Sequence, residues 1–292
     1  DLHRVDRRQR QMCIRDRKLA SSGVAGNYRS TFRGSGIEFA EAREYVPGDD
    51  VRRIDWNITA RTGVPWVKEF VEERDLSVIC VVDRSPSMLA ATPESGRLRA
   101  AAELVALLGF SAAYNNDRTG LLMFSDGVDS FVEPRRGTRH VLRQVRDVLL
   151  AEIAPGRGTA MAPALDHLAR VLRRRSVVFV ISDFFTNGYA QSLQTLARRH
   201  DVIAITLTDP LDLELPDVGL LDAMDAETGR RLLVDTGSRA VRDAYREAAA
   251  QRASARDLRL SRAGVDRIAI QVDQDVGDPV ASFFRRRSQA MA

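Results

Sequence analysis

The chain has 292 residues, of which 44% are hydrophobic and 29% charged, close to the globular average and outside the ranges of disordered or collagenous chains. A chain this long buries roughly 75% of the surface its unfolded form exposes, and its two cysteines, Cys13 and Cys80, make no disulfide framework and suit a reducing compartment. The formal charge is +4, and Lys18 and Lys68 are the only lysines among 44 basic residues, a skew that reads as arginine-rich coding rather than as a phosphate-binding patch.

Residues 1–17 have neither helical nor strand periodicity. Met12-Cys13-Ile14-Arg15-Asp16-Arg17 reads like a translated transposase adapter from a sequencing library. These residues are expected to be an assembly scar, the alternative being a genuine basic arm. They carry six Arg and three Asp, so the charge left without them is about +1. Cys80 is then the sole thiol.

Residues 18–75 are polar and punctuated by glycine. Turns are expected at Arg33-Gly34-Ser35-Gly36 and Pro47-Gly48-Asp49-Asp50. Extended runs are expected at 37–39 and 64–71, making a small β-containing segment. Arg43, Arg52, Arg53, Asp55 and Arg61 are candidates for ion pairs tying this layer to the following sheet, with Trp56 as a packed anchor.

From residue 76 the pattern alternates. Residues 76–82 form an apolar run of strand length, buried on both faces. Residues 97–114 are apolar nearly all round, which predicts a buried helix. Strands are expected at 120–124, 176–181 and 202–207, with a hairpin return at 128–132 and helices at 139–150, 163–172 and 189–199. This alternation predicts an α/β fold, a Rossmann-like sheet with helices on both faces, as the core over 76–210. Residues 211–292 extend it with strands at 219–224 and 231–234 joined by a turn at Glu227-Thr228-Gly229, a helix at 239–260, a strand at 267–272 and a short tail.

No run approaches the roughly 18–20 apolar residues of a spanning helix, and no signal-peptide core is visible. The expectation is a cytoplasmic protein without membrane insertion. Arg173-Arg174-Arg175, Arg198-Arg199 and Arg285-Arg286-Arg287 lack interleaved aromatics and read as solvated helix ends rather than a nucleic-acid interface. His3, His140, His167 and His200 lack partners at ligand spacing and are expected on helix surfaces.

The chemistry-bearing cluster is Asp83-Arg84-Ser85-Pro86-Ser87. It follows the first buried strand, at the strand end where open α/β sheets bind ligands. One carboxylate and two hydroxyls from one tight loop are hard oxygen ligands, suited to Mg²⁺, Mn²⁺ or Ca²⁺. Gly156-Arg157-Gly158-Thr159 can add the Thr159 hydroxyl, and Ser182-Asp183 a second carboxylate. Ser125-Asp126, also after a strand, reads as a hairpin turn.

This D-x-S-x-S, with a later Thr and a later strand-terminal Asp, resembles the metal-ion-dependent adhesion site of von Willebrand factor A domains. The resemblance implies that Ser85, Ser87 and Thr159 coordinate the metal and that Asp83 and Asp183 bind it directly or through water. It also implies a coordination position filled by an Asp or Glu of a partner. Three further motifs, Arg33–Phe39, Arg43–Asp50 and Arg53–Trp56, together with Thr59-Ala60-Arg61, Lys68-Glu69-Phe70, Gly264-Val265-Asp266 and Phe283-Phe284-Arg285, look like the bacterial family domain of unknown function 58. That resemblance covers about residues 20–288. It implies a von Willebrand factor A-like domain that works with a MoxR-type AAA+ ATPase in maturing or remodelling a client protein. The expectation is a non-enzymatic, metal-dependent interaction module. The alternatives are a Mg²⁺-dependent phosphohydrolase-like enzyme, for which Ser85 stands where a second Asp is wanted, and a scaffold with a degenerate site.

Overall fold

The computed structural model describes residues 36–73, 76–88, 96–150, 158–225 and 229–290. The adapter-like residues 1–17, the turn residues Arg33, Gly34 and Ser35, the Gly156-Arg157 pair and the turn residues Glu227 and Thr228 lie outside them. The described residues form two compact units, one within residues 36–73 and the other within residues 76–290.

In the smaller unit, β1 (Gly36–Glu44) and β2 (Trp66–Glu73) pair antiparallel. Between them Asp55 caps the short helix α1 (Trp56–Thr62) by accepting the Asn57 and Ile58 N–H groups, which satisfies donors that a helix start leaves orphaned. Arg43 donates to both Asp49 carboxyl oxygens at 2.7 Å. This contact holds the Asp49 carboxyl at about 2. Lys68 pairs with Asp55 at 3.4 Å. Trp56 corrects the expectation of a packed anchor, because 70% of it is exposed.

The larger unit is a six-stranded sheet in the order β10-β7-β6-β3-β4-β5. Its members are β3 (Ser77–Asp83), β4 (Arg118–Phe124), β5 (Val128–Arg135), β6 (Val177–Ser182), β7 (Asp201–Thr208) and β10 (Asp266–Gln271). Five strands run parallel, and β5 turns back antiparallel on β4 through the expected hairpin at Ser125-Asp126. Alternate residues of each strand feed two cores, as the two-residue period requires. Val78, Cys80 and Val82 face one layer, with α2 (Arg97–Tyr114), α3 (Thr138–Leu149) and α8 (Gly277–Ala290). Ile79 and Val81 face the other, with α4 (Met161–Val171), α5 (Ala190–Ala197) and the end of α7 (Arg239–Arg262). The mixed α/β architecture expected from the alternation is therefore present, with helices on both faces.

The structure departs from two expectations in this unit. The expected tail is helix α8, whose Val280, Phe283 and Phe284 are buried; its apolar residues at i, i+3 and i+4 are a helical stripe masked by the adjacent arginines. His200 is buried at 4% exposure rather than on a helix surface, and burial, followed by the charges of Arg199 and Arg175, depresses its pKa.

Beyond β7, Asp209 and Asp212 form a reciprocal capping box around the four-residue helix α6 (Pro210–Leu213). A separate hairpin follows, β8 (Leu220–Met224) against β9 (Arg231–Asp235), with Leu221 opposite Val234 and Ala223 opposite Leu232.

Candidate metal centre

The chain leaves β3 toward β4 on one side and β6 on the other, so the sheet has its switch point between β3 and β6, where a crevice opens beyond the strand ends. These strands pair in register up to Val82 opposite Ile181, which delivers Asp83 and Ser182 to the same edge. Ser182 Oγ donates to Asp83 Oδ2 at 2.6 Å. Asp83 Oδ1 accepts the Ser85 N–H at 2.8 Å, an Asx turn that tightens the loop. Pro86 then opens a one-turn 3₁₀ helix, Pro86–Met88, whose Met88 is fully buried. The turn places Ser85 Oγ and Ser87 Oγ 2.9 Å apart.

Asp183 comes next after β6. Its Oδ1 accepts the Phe185 N–H at 3.0 Å, and its Oδ2 is buried with no hydrogen-bond partner among the described residues. Phe184 between them adopts φ +58, a left-handed conformation that a bulky residue holds only under constraint. Its buried ring meets Tyr189 edge-on at 5.6 Å, and its N–H donates to Ser182 Oγ at 2.9 Å.

Asp83, Ser85 and Asp183 are 0%, 0% and 2% exposed. Burial, then the neighbouring charge of Asp183, pushes the Asp83 carboxyl up to about 7. Burial also raises Asp183, opposed by the Ser87 hydroxyl and then by Arg97. Two carboxylates so placed resist simultaneous ionisation unless a cation joins them. Among the described residues there is no cluster of three or more His, Cys, Asp or Glu side chains suited to a metal, so a centre here needs the hydroxyls as ligands.

Thr159 reaches the same edge through its backbone. The Thr159 carbonyl accepts from Thr186 Oγ1 at 3.1 Å, and the adjoining Ala160 N–H donates to the Ser125 carbonyl at 2.6 Å. The Ser125 turn at the end of β4 thus anchors the Thr159 loop. Arg84 does not obstruct the acidic pair, since its guanidinium lies 3.5 Å from Asp129.

Three supporting groups escape a sequence reading. Ser182 was visible only as the neighbour of Asp183. Arg97, 2% exposed, donates to the Ser87 carbonyl at 2.5 Å and to Asp212, 115 residues away. A cation at the first position of α2, against the helix dipole, was the available signal for Arg97. Nothing in the sequence pointed to Asp212.

These features define a doubly wound, mostly parallel α/β protein with a buried carboxylate–hydroxyl cluster at its switch point. Residues 41–255 match the family described as "Protein of unknown function DUF58", and the chain belongs to that family. Uncharacterized proteins of Mycobacterium tuberculosis and Mycobacterium bovis are 36% identical over 275 residues, covering 91% of this chain and 85% of theirs. Among solved structures, BatB from Bacteroides thetaiotaomicron aligns with 73% of this chain and 99% of its own at 17% identity and a TM-score of 0.46. An aerotolerance-related membrane protein from Bacteroides fragilis aligns with 74% of this chain and 100% of its own, at 18% identity and a TM-score of 0.47. No helix among the described residues is long and apolar enough to cross a membrane.

Proposed function

We propose that the protein is a non-enzymatic, divalent-metal-dependent protein-interaction module of von Willebrand factor A type. The observation that carries this reading is the pair of buried carboxylates, Asp83 and Asp183, with Asp183 Oδ2 lacking a hydrogen-bond partner among the described residues and the Ser85 and Ser87 hydroxyls 2.9 Å apart on the loop after β3. The donor set fits a hard cation, because every candidate ligand is oxygen. Ser85, Ser87 and Thr159 would hold Mg²⁺, or Mn²⁺ or Ca²⁺ in its place, and Asp83 and Asp183 would bind it directly or through water. Bound there, the ion would supply a Lewis-acidic position for an Asp or Glu of a client protein.

The surroundings support a protein rather than a small molecule as the ligand. An apolar cavity of about 1050 Å³ runs from Ser87 and Phe185 to the β8–β9 hairpin and α7. Leu220, Met224 and Leu233 share one face of the hairpin and are each at least 65% exposed, while Leu232 lines the cavity on the other face; exposed apolar surface of this kind marks interaction sites. The family resemblance makes a MoxR-type AAA+ ATPase the partner to test, in a cytoplasmic setting of protein maturation or remodelling.

Mg²⁺ or Mn²⁺ titrated into chelator-treated protein is expected to raise the Tm, and Asp83→Ala to abolish the rise. A pull-down with and without chelator then asks whether the ATPase is retained only with metal. An unchanged Tm in the wild type would leave a structural cluster, and turnover of phosphate esters that depends on Asp83 would replace the module with an enzyme.

A further inference from the structure

A second cavity of about 220 Å³ lies on the other side of Phe185, against helix α7 at the end of β7. Three arginines, Arg252, Arg256 and Arg259, are among its lining residues. Their spacing of four and three places them on one helix face, and the intervening Ala253 and Ala255 leave room between them. Such a row is ordinarily neutralised by acids on neighbouring elements. Here Arg252 and Arg259 have no carboxylate partner among the described residues. Arg252 lies over the Tyr245 ring, 5.6 Å from its centroid. Arg259 donates to the neutral Asn187 Oδ1 at 3.2 Å and stands 5.8 Å over the Tyr189 ring.

The remaining charges do not cancel the row. Asp257, the partner of Arg256 at 3.1 Å, is shared with Arg267 at 2.5 Å. Asp212, the one carboxylate in the cavity wall, is engaged by Arg97. Arg259 Nε is also buried without a hydrogen-bond partner among the described residues, a donor left unsatisfied at some cost. Arginines prearranged by ring stacking and an amide, short of acceptors and lining a concavity, are what oxyanion recognition requires.

We propose that this cavity binds an oxyanion, a carboxylate or phosphate group, through Arg252, Arg256 and Arg259. Its volume is below the roughly 300–1,000 Å³ of pockets for drug-sized ligands, so it takes a single head group and not a whole nucleotide. The position at the sheet edge agrees with where α/β folds bind ligands. The proposal does not depend on a metal at Asp83.

The test is isothermal titration in the presence of chelator, at constant ionic strength, with inorganic phosphate in one arm and glutarate in the other. Saturable binding of one molecule per chain is expected in at least one arm. Preference for phosphate assigns a phosphoryl-bearing ligand, and preference for glutarate assigns an acidic side chain. Arg259→Ala is expected to weaken binding at least tenfold. Arg252→Ala, at an exposed position, is expected to weaken it severalfold. Arg239→Ala, on the same helix with 87% of its side chain exposed, serves as control and is expected to change nothing. No binding in either arm overturns the proposal, as does binding that Arg252→Ala, Arg259→Ala and Arg239→Ala leave equal.

Discussion

Asp83 shows how one side chain couples the fold to the ion. Its carboxyl titrates near 7 in the folded protein, against an ordinary value of 3.8, mainly because it is buried. A raised acid pKa contributes stability that is full below about pH 4 and is lost as pH rises through 7. Asp83→Asn fixes the neutral form, so in chelator at pH 8 it is expected to raise the Tm, by a stabilisation on the order of a few kcal/mol. The same variant is expected to lose the metal-induced rise. A lower Tm for Asn at pH 8 would contradict the picture of an uncompensated carboxylate pair. Asp83, Ser85 and Ser87 were legible in the sequence because their contacts are local, the Asx turn spanning two residues. Ser182 was not, because its hydroxyl has meaning only across a strand pair. Cys80 obeys the same burial physics. Its thiol is pushed up to about 12, so no reaction with thiol reagents is expected until the protein unfolds, as a mass-shift time course would show.

Helices α2 and α3 meet closely enough to exclude a methyl group. A Cβ built on Gly109 would lie 2.7 Å from Val141 Cγ1, and both residues are buried in the same layer. Gly109→Ala gains helix propensity of about 1 kcal/mol but overpacks a close-packed interior, which costs about 1–3 kcal/mol. Net destabilisation in urea unfolding is expected, with relief when Val141→Ala is added. An additive double mutant would show that the close approach is not limiting. The element types were readable from composition and periodicity through β7, where strands buried on both faces announce themselves as apolar runs. Helix α8 was not, since its two buried phenylalanines adjoin three consecutive arginines. Phe284 lies edge-on to Phe179 of β6 at 6.4 Å and is fully buried. Phe284→Ala is therefore expected to cost about 3–5 kcal/mol, far more than removal of a tail residue would.

Across the molecule, buried groups pull the pH profile in opposite directions, the carboxyls of Asp83 and Asp183 one way and His200 the other. His200 has a depressed pKa, so its contribution is present above about pH 6.5 and lost as pH falls below it. Asp83 does the reverse over the range up to about 7. Thermal scans of chelated protein from pH 5 to 8 are expected to show that Asp83→Asn gains stability over the wild type as pH rises. His200→Gln is expected to remove the acid-side loss; a profile identical to wild type would count against a neutral buried imidazole. The sequence by itself determined the α/β alternation, because burial on two faces demands continuous apolar strands. It also determined the D-x-S-x-S loop, because a tight turn needs only its own residues. Tertiary structure alone decided that Arg97 reaches Asp212, that Ser182 braces Asp83 and that three arginines of α7 line one cavity with residues of the β6 and β7 ends. Each of those arrangements joins residues far apart in the chain, and their distances are set by packing against a shared sheet, which no local pattern records.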